Sequence, residues 1–190
     1  NHSVSDVHWG GGSPDILKPE DISHLGTALR RHFGMRDDTE FAVEIDPRLL
    51  NHDQVQAFAD IGVTRVSLGV QDFDQTVQAA IGRMQSLEET RRAIEAFREK
   101  GVRSVNVDLV YGLPLQTMAS CMRTIDEVIA LSPDRIALFG YAHLPQRMKH
   151  QRLIKDEDWT ELLAPYVVER HEMRYDTYKG SRNLRGRNNK

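Results

Sequence analysis

The chain has 190 residues, with 25 Lys or Arg against 28 Asp or Glu, a formal charge of −3. That balance gives no global pull toward nucleic acid or a membrane surface, and no apolar run approaches a membrane span or marks a secretory leader. One cysteine, Cys121, excludes an internal disulfide framework and cannot by itself hold an iron–sulfur cluster or a structural zinc, so the expectation is a cytoplasmic, monomeric α/β protein with neither nucleic-acid nor membrane partners.

Residues 4–9 form the first strand-like run. It leads into His8-Trp9-Gly10-Gly11-Gly12-Ser13-Pro14. Consecutive glycines after a strand mean a backbone that turns sharply and admits something close to it. The loop lies only a few residues from Asn1, which raises the expectation that something preceding it is missing. Pro19 opens a helix with Ile22, Leu25, Leu29 and Phe33 on one face. Glu40–Ile45 reads as the second strand, and residues 53–61 as a short helix stopped by Gly62. Residues 65–70 read as the third strand. Ser86 and Glu89 make a capping box for a helix ending at Lys100, with Gly101 just past its end. Residues 104–110 are the fourth strand. Met118, Met122, Ile125, Val128 and Ile129 form the apolar stripe of the next helix, and Cys121 beside it is expected to be a buried, inert thiol. Residues 135–139 are the fifth strand. This alternation predicts a parallel sheet with helices outside it.

The stretch from Trp159 to Lys190 differs. It carries seven Lys or Arg against four acids, where the preceding part carries 18 against 24. Apolar residues thin out after Val168, and Pro165 interrupts the only helical candidate. Residues 1–158 are therefore expected to be the core, and 159–190 a poorly ordered tail.

Polar groups recur at the carboxyl ends of the strands. Gly10, Gly11 and Gly12 follow the first, Glu44 and Asp46 close the second, and Gln71 and Asp72 follow the third. Asp108 sits at the end of the fourth, and Tyr141, Ala142 and His143 follow the fifth. In parallel α/β folds that edge carries the ligand. An acid at a strand end serves equally often as the N-cap of the next helix, but five strand ends in a row argue for a site. Glycine-loop N–H groups can meet a carboxylate. Glu44 and Asp108 suit an ammonium or ribose hydroxyls, and Arg83 suits a carboxylate. Together they describe a site for a molecule bearing an amino acid and a ribose. No dinucleotide or phosphate-loop fingerprint is present, and the eight His are scattered.

Several blocks resemble the radical S-adenosylmethionine (SAM) family, and within it the oxygen-independent coproporphyrinogen III oxidases. They are His8-Trp9-Gly10-Gly11-Gly12-Ser13-Pro14, Glu44-Ile45-Asp46-Pro47-Arg48 and Ser67-Leu68-Gly69-Val70-Gln71-Asp72-Phe73, followed by Asn106-Val107-Asp108-Leu109-Val110-Tyr111-Gly112-Leu113-Pro114 and Tyr141-Ala142-His143-Leu144-Pro145. The resemblance implies an α/β fold, a partial parallel (β/α) barrel of the radical SAM type, incomplete at its N-terminus. It implies that Gly11, Gly12 and Ser13 line the methionine end of SAM and that Glu44, Gln71, Arg83, Asp108 and Ala142 complete the cofactor site. It further implies a [4Fe-4S] cluster that passes an electron to SAM, a flavodoxin-type or reductase electron donor, and oxidative decarboxylation of two propionates of coproporphyrinogen III to vinyls. The family's Cys-x-x-x-Cys-x-x-Cys cluster motif is absent, and the resemblance fades near Asp158. The chain alone is expected to be an inactive fragment with no metal ligands of its own. The alternative is a haem-binding or haem-delivery protein of the same superfamily.

Overall fold

The computed structural model describes residues 4–142 and 151. The proposed tail at 159–190, and His143, lie outside the described residues.

The described residues form one five-stranded parallel sheet in the order β1 (Asp6–Trp9), β2 (Glu40–Ile45), β3 (Arg65–Gln71), β4 (Ser104–Tyr111) and β5 (Arg135–Gly140). Sequential order throughout means that each crossover steps to the adjacent strand in the same direction, as in a barrel wall. The crossovers are carried by α1 (Pro19–Phe33), α2 (His52–Asp60), α3 (Gln75–Ala80), α4 (Leu87–Glu99) and α5 (Met118–Ala130), with a short 3₁₀ turn (Pro14–Ile16) after β1. The strand expectations hold to within two residues. The 3₁₀ turn and α3 are additions too short to show a periodicity; Asp74 caps α3 by accepting from the Thr76 and Val77 N–H groups. The Ser86–Glu89 capping box of α4 is present, and Asn51 with Gln54 makes another on α2.

The pleat divides the sheet. Phe41, Val43 and Ile45, then Val66, Leu68 and Val70, then Val105, Val107 and Leu109 point into the helices and are almost fully buried. Burying one such side chain contributes about 1.5–3 kcal/mol. Phe58 of α2 and Phe97 of α4 meet over this face at a centroid distance of 6.5 Å, and Trp9 stands edge-on to Phe58 at 5.9 Å. The residue before the glycine loop is thus rooted in the core. The opposite face carries polar side chains: His8, Glu44, Arg65, Ser67, Asn106, Asp108 and Arg135 share it by register.

Two helix faces differ from expectation. In α1 the buried positions are Ile22 and Gly26, while Phe33 is 53% exposed. Gly26 packs closely on Ile61, where an added Cβ would come 2.4 Å from Ile61 Cγ2, while Leu29 of the expected face packs against the core. In α5 the buried residues are Ser120, Cys121, Thr124 and Val128, and Met118, Met122 and Ile129 face outward. Of the expected stripe, Val128 is buried and Ile125 packs against the core, and a polar tether lies beside them. Thr124 Oγ1 donates to the fully buried Asp72 at 2.8 Å and accepts from the Phe73 N–H at 3.1 Å. Cys121 is buried as expected, and burial pushes its thiol up. Among the described residues no helix is long and apolar enough to cross a membrane.

Candidate functional site

The glycine loop is shaped around one carboxylate. Gly11 and Gly12 have φ of 84° and 74°, a left-handed backbone that only glycine adopts freely. The Gly11 N–H donates to Glu44 Oε2 at 3.2 Å, and His8 Nε2 lies 3.0 Å from Glu44 Oε1. Gly10 lies directly against that carboxylate: a Cβ there would fall 2.6 Å from Glu44 Cδ and Oε1 and would push Glu44 from its place. The loop's far end is tied to the sheet edge. Asp15 Oδ1 accepts from the Asp46 N–H at 3.3 Å, and the Gln54 amide donates to the carbonyls of Asp15 and Leu17. Ser13 caps the 3₁₀ turn through its position, and its side chain makes no capping bond.

The end of β3 is irregular. The register shifts between Gly69 and Gln71, and Gln71 takes a φ of 71°, a costly backbone for a residue with a Cβ. Gly69 is bare where two polar groups gather: a Cβ would lie 3.1 Å from Gln71 Nε2 and 3.2 Å from Arg83 Nη2. Arg83 Nη1 donates to Asp46 Oδ2 at 2.9 Å and Nη2 to the Gly69 carbonyl at 2.8 Å, while its buried Nε–H has no partner. Arg48 Nη2 donates to the same Asp46 oxygen at 2.7 Å. Burial pushes the Asp46 carboxyl up, but the Arg48 hydrogen bond and the charges of Arg83 and Arg48 outweigh it and hold it below the usual range. Arg83, expected to grip a ligand carboxylate, therefore also grips one of the protein's own, and keeps unused donors.

Asp108 lies beside this group on β4. Its cross-strand neighbours are Gly69 and Ala137, so no large side chain flanks it. Burial pushes its carboxyl up; hydrogen bonds from Ser67 and Asn106 pull the other way, and nearby Glu44 adds to the upward push. Ala142 follows β5, and its carbonyl accepts from Gln151 Nε2 at 3.0 Å.

The structure thus gathers Glu44 with Gly10 and Gly11, and Gln71 with Arg83 over Gly69, the cross-strand neighbour of Asp108. Ser67, Asn106 and His8 also face this group, and residue type alone marks none of them as part of it. Their signal was the two-residue strand period, which puts Ser67 level with Glu44 and Asn106 on the same face as Asp108.

The donor set fits a molecule carrying an amino acid and a ribose. The orphaned Arg83 Nε–H suits a carboxylate, and two acids suit an ammonium and hydroxyls. Nothing stands within 4 Å of where a Cβ at Gly11 or Gly12 would be. An iron–sulfur cluster does not fit these residues. The lone cysteine is on the buried face of α5, and no cluster of three or more metal-ligating side chains occurs among the described residues.

Residues 1–128 match the Radical SAM superfamily model. An oxygen-independent coproporphyrinogen III oxidase of Cereibacter sphaeroides is 48% identical over 167 residues, covering 88% of this chain and 36% of that protein. That of Pseudomonas aeruginosa is 49% identical over 157 residues, 82% of this chain and 34% of that protein. The chain spans about a third of the length of these oxidases. The Escherichia coli coproporphyrinogen III oxidase, a radical SAM enzyme, superposes with a TM-score of 0.81 at 39% identity, covering 90% of this chain and 39% of that one.

Proposed function

This chain belongs to the radical SAM superfamily, and we propose that it is the SAM-cradling part of an oxygen-independent coproporphyrinogen III oxidase, with residues 1–158 as its core. The observation that carries the reading is that the Glu44-filled glycine loop, the Gln71 and Arg83 groups over Gly69, and Asp108 lie at the carboxyl ends of neighbouring strands of one parallel sheet.

Gly11, Gly12, Ser13, Glu44, Gln71, Arg83, Asp108 and Ala142 would hold SAM. Arg83 meets its carboxylate while Asp46 keeps the guanidinium in place. Glu44 and Asp108 take the ammonium and ribose hydroxyls. Gln71, bent inward by its strained backbone, offers an amide from the rim. In a whole oxidase, SAM held here would supply the hydrogen-abstracting group only after one-electron reduction by a cluster that these residues do not hold; a propionate side chain would then lose a hydrogen to it, and carbon dioxide and one electron to an acceptor, to leave a vinyl group. Coproporphyrinogen III is the substrate, a flavodoxin-type or reductase protein is the electron donor, and the chain acts as a monomer. With one cysteine these 190 residues do not carry three cluster ligands, so the chain by itself binds SAM without cleaving it reductively.

Isothermal titration of the 190-residue chain with SAM tests this. One equivalent binds, and Glu44→Gln weakens binding roughly tenfold, the loss of one charge-assisted contact. Absence of saturable binding refutes the reading. So does release of 5′-deoxyadenosine after iron–sulfur reconstitution and reduction, for the claim that the chain alone is inactive.

A further inference from the structure

The carboxylate of Asp108 is held on both oxygens by its own face of the sheet. Asn106 Nδ2 donates to Asp108 Oδ1 and to Ser67 Oγ, both at 2.5 Å. Ser67 Oγ donates to Asp108 Oδ2 at 3.0 Å. These bonds use both N–H groups of the amide and the one hydroxyl proton, closing a ring of three side chains. Register explains why the ring can form. Ser67 and Asn106 are directly opposite on β3 and β4, and Asp108 is two residues further along β4. Gly69 and Ala137 at its sides leave it free to lean back onto them.

We propose that Ser67 and Asn106 are positioning residues that fix the plane of the Asp108 carboxylate, so that its outward lone pairs meet a ligand's hydroxyl or ammonium groups without rearranging. This rests on the SAM reading above and names two residues outside it. A carboxylate without such partners would rotate about χ2, and binding would then carry the entropy of fixing it. Among the described residues, the further titratable groups that act on Asp108 are Glu44 on β2 and His8 on β1. On β5 its own neighbour is Ala137, and Arg135 stands one step back, opposite Asn106.

The test uses the 190-residue chain and its variants Ser67→Ala, Asn106→Leu and Ser67→Thr. Two quantities are read: the SAM dissociation constant by calorimetry, and the titration of the Asp108 carboxyl carbon by NMR. Ser67→Ala and Asn106→Leu each remove a donor to the charged form. Each should weaken SAM binding roughly tenfold and raise the Asp108 midpoint by about one pH unit. Ser67→Thr keeps the hydroxyl and should keep both parental values. A purely structural role would lower stability and leave the midpoint where it was, and an unchanged midpoint in both donor-removing variants overturns the proposal. A parent chain that leaves SAM unbound overturns the functional reading instead, with the NMR titration still judging the clamp.

Discussion

Replacing Asp46 by Asn removes one negative charge from between two arginines. In the parent, Asp46 Oδ2 accepts from Arg83 Nη1 at 2.9 Å and from Arg48 Nη2 at 2.7 Å, and its side chain is 8% exposed. Taking one partner from a buried ion pair costs about 3–5 kcal/mol, chiefly because the other charge stays desolvated. Arg83 and Arg48 are 20% and 30% exposed, so water reaches them in part and the lower end applies, about 3 kcal/mol. Against a total stability of about 5–15 kcal/mol that is a large fraction. For a chain of this size it corresponds to a fall of roughly 6–12 °C in Tm. Urea unfolding at pH 7 followed by circular dichroism measures it. The same experiment has an internal control in pH. The Asp46 carboxyl is held below its ordinary 3.8, so its contribution is fully present above that value and is lost as pH falls through the lower, folded one. The gap between parent and variant should therefore be constant from pH 5 to 7 and close on strong acidification. A variant within about 0.5 kcal/mol of the parent at pH 7 would refute the reasoning, as surface substitutions behave.

Asp108→Asn should act in the opposite sense on stability. Its carboxyl is pushed up, so it favours the folded state at acid pH and loses that contribution as pH rises through the folded value. The variant should gain on the parent between pH 3 and pH 7 in urea unfolding while binding SAM at least about tenfold more weakly, and a gain that shrinks with pH contradicts this assignment. Thr124→Val keeps the shape of the side chain but strips a donor from buried Asp72 and an acceptor from the Phe73 N–H. A loss of about 2–3 kcal/mol by the same measurement is expected, and a neutral result would mean that the apolar stripe orients α5 after all.

The sheet was legible in the sequence because each strand is a short apolar run between turn residues, and burial alternates residue by residue through β3 and through β4 as far as Val110. The matching blocks also located the glycine loop, Glu44 and Asp108. What escaped was decided by single contacts between distant residues. In α1 Gly26 meets Ile61, and in α5 Thr124 meets Asp72, fifty-two positions away. Neither leaves a periodic trace. Arg83 was placed at the site by pattern, yet its pairing with Asp46 across thirty-seven positions could not be read from either residue's neighbourhood. Ser67 and Asn106 look like ordinary polar strand residues until register sets them side by side.

Trp9 joins the glycine loop to the aromatic core, 5.9 Å from Phe58 and 6.4 Å from Phe41. The chain has only one other tryptophan, Trp159. In a Trp159→Phe background, indole emission would come from a single fluorophore whose neighbour in the chain is Gly10. Gly11 and Gly12 stand two and three residues on, so whatever seats against them acts close in the chain to a ring held between two phenylalanines. The proposed seating of SAM against this loop would then be readable by stopped flow without a label.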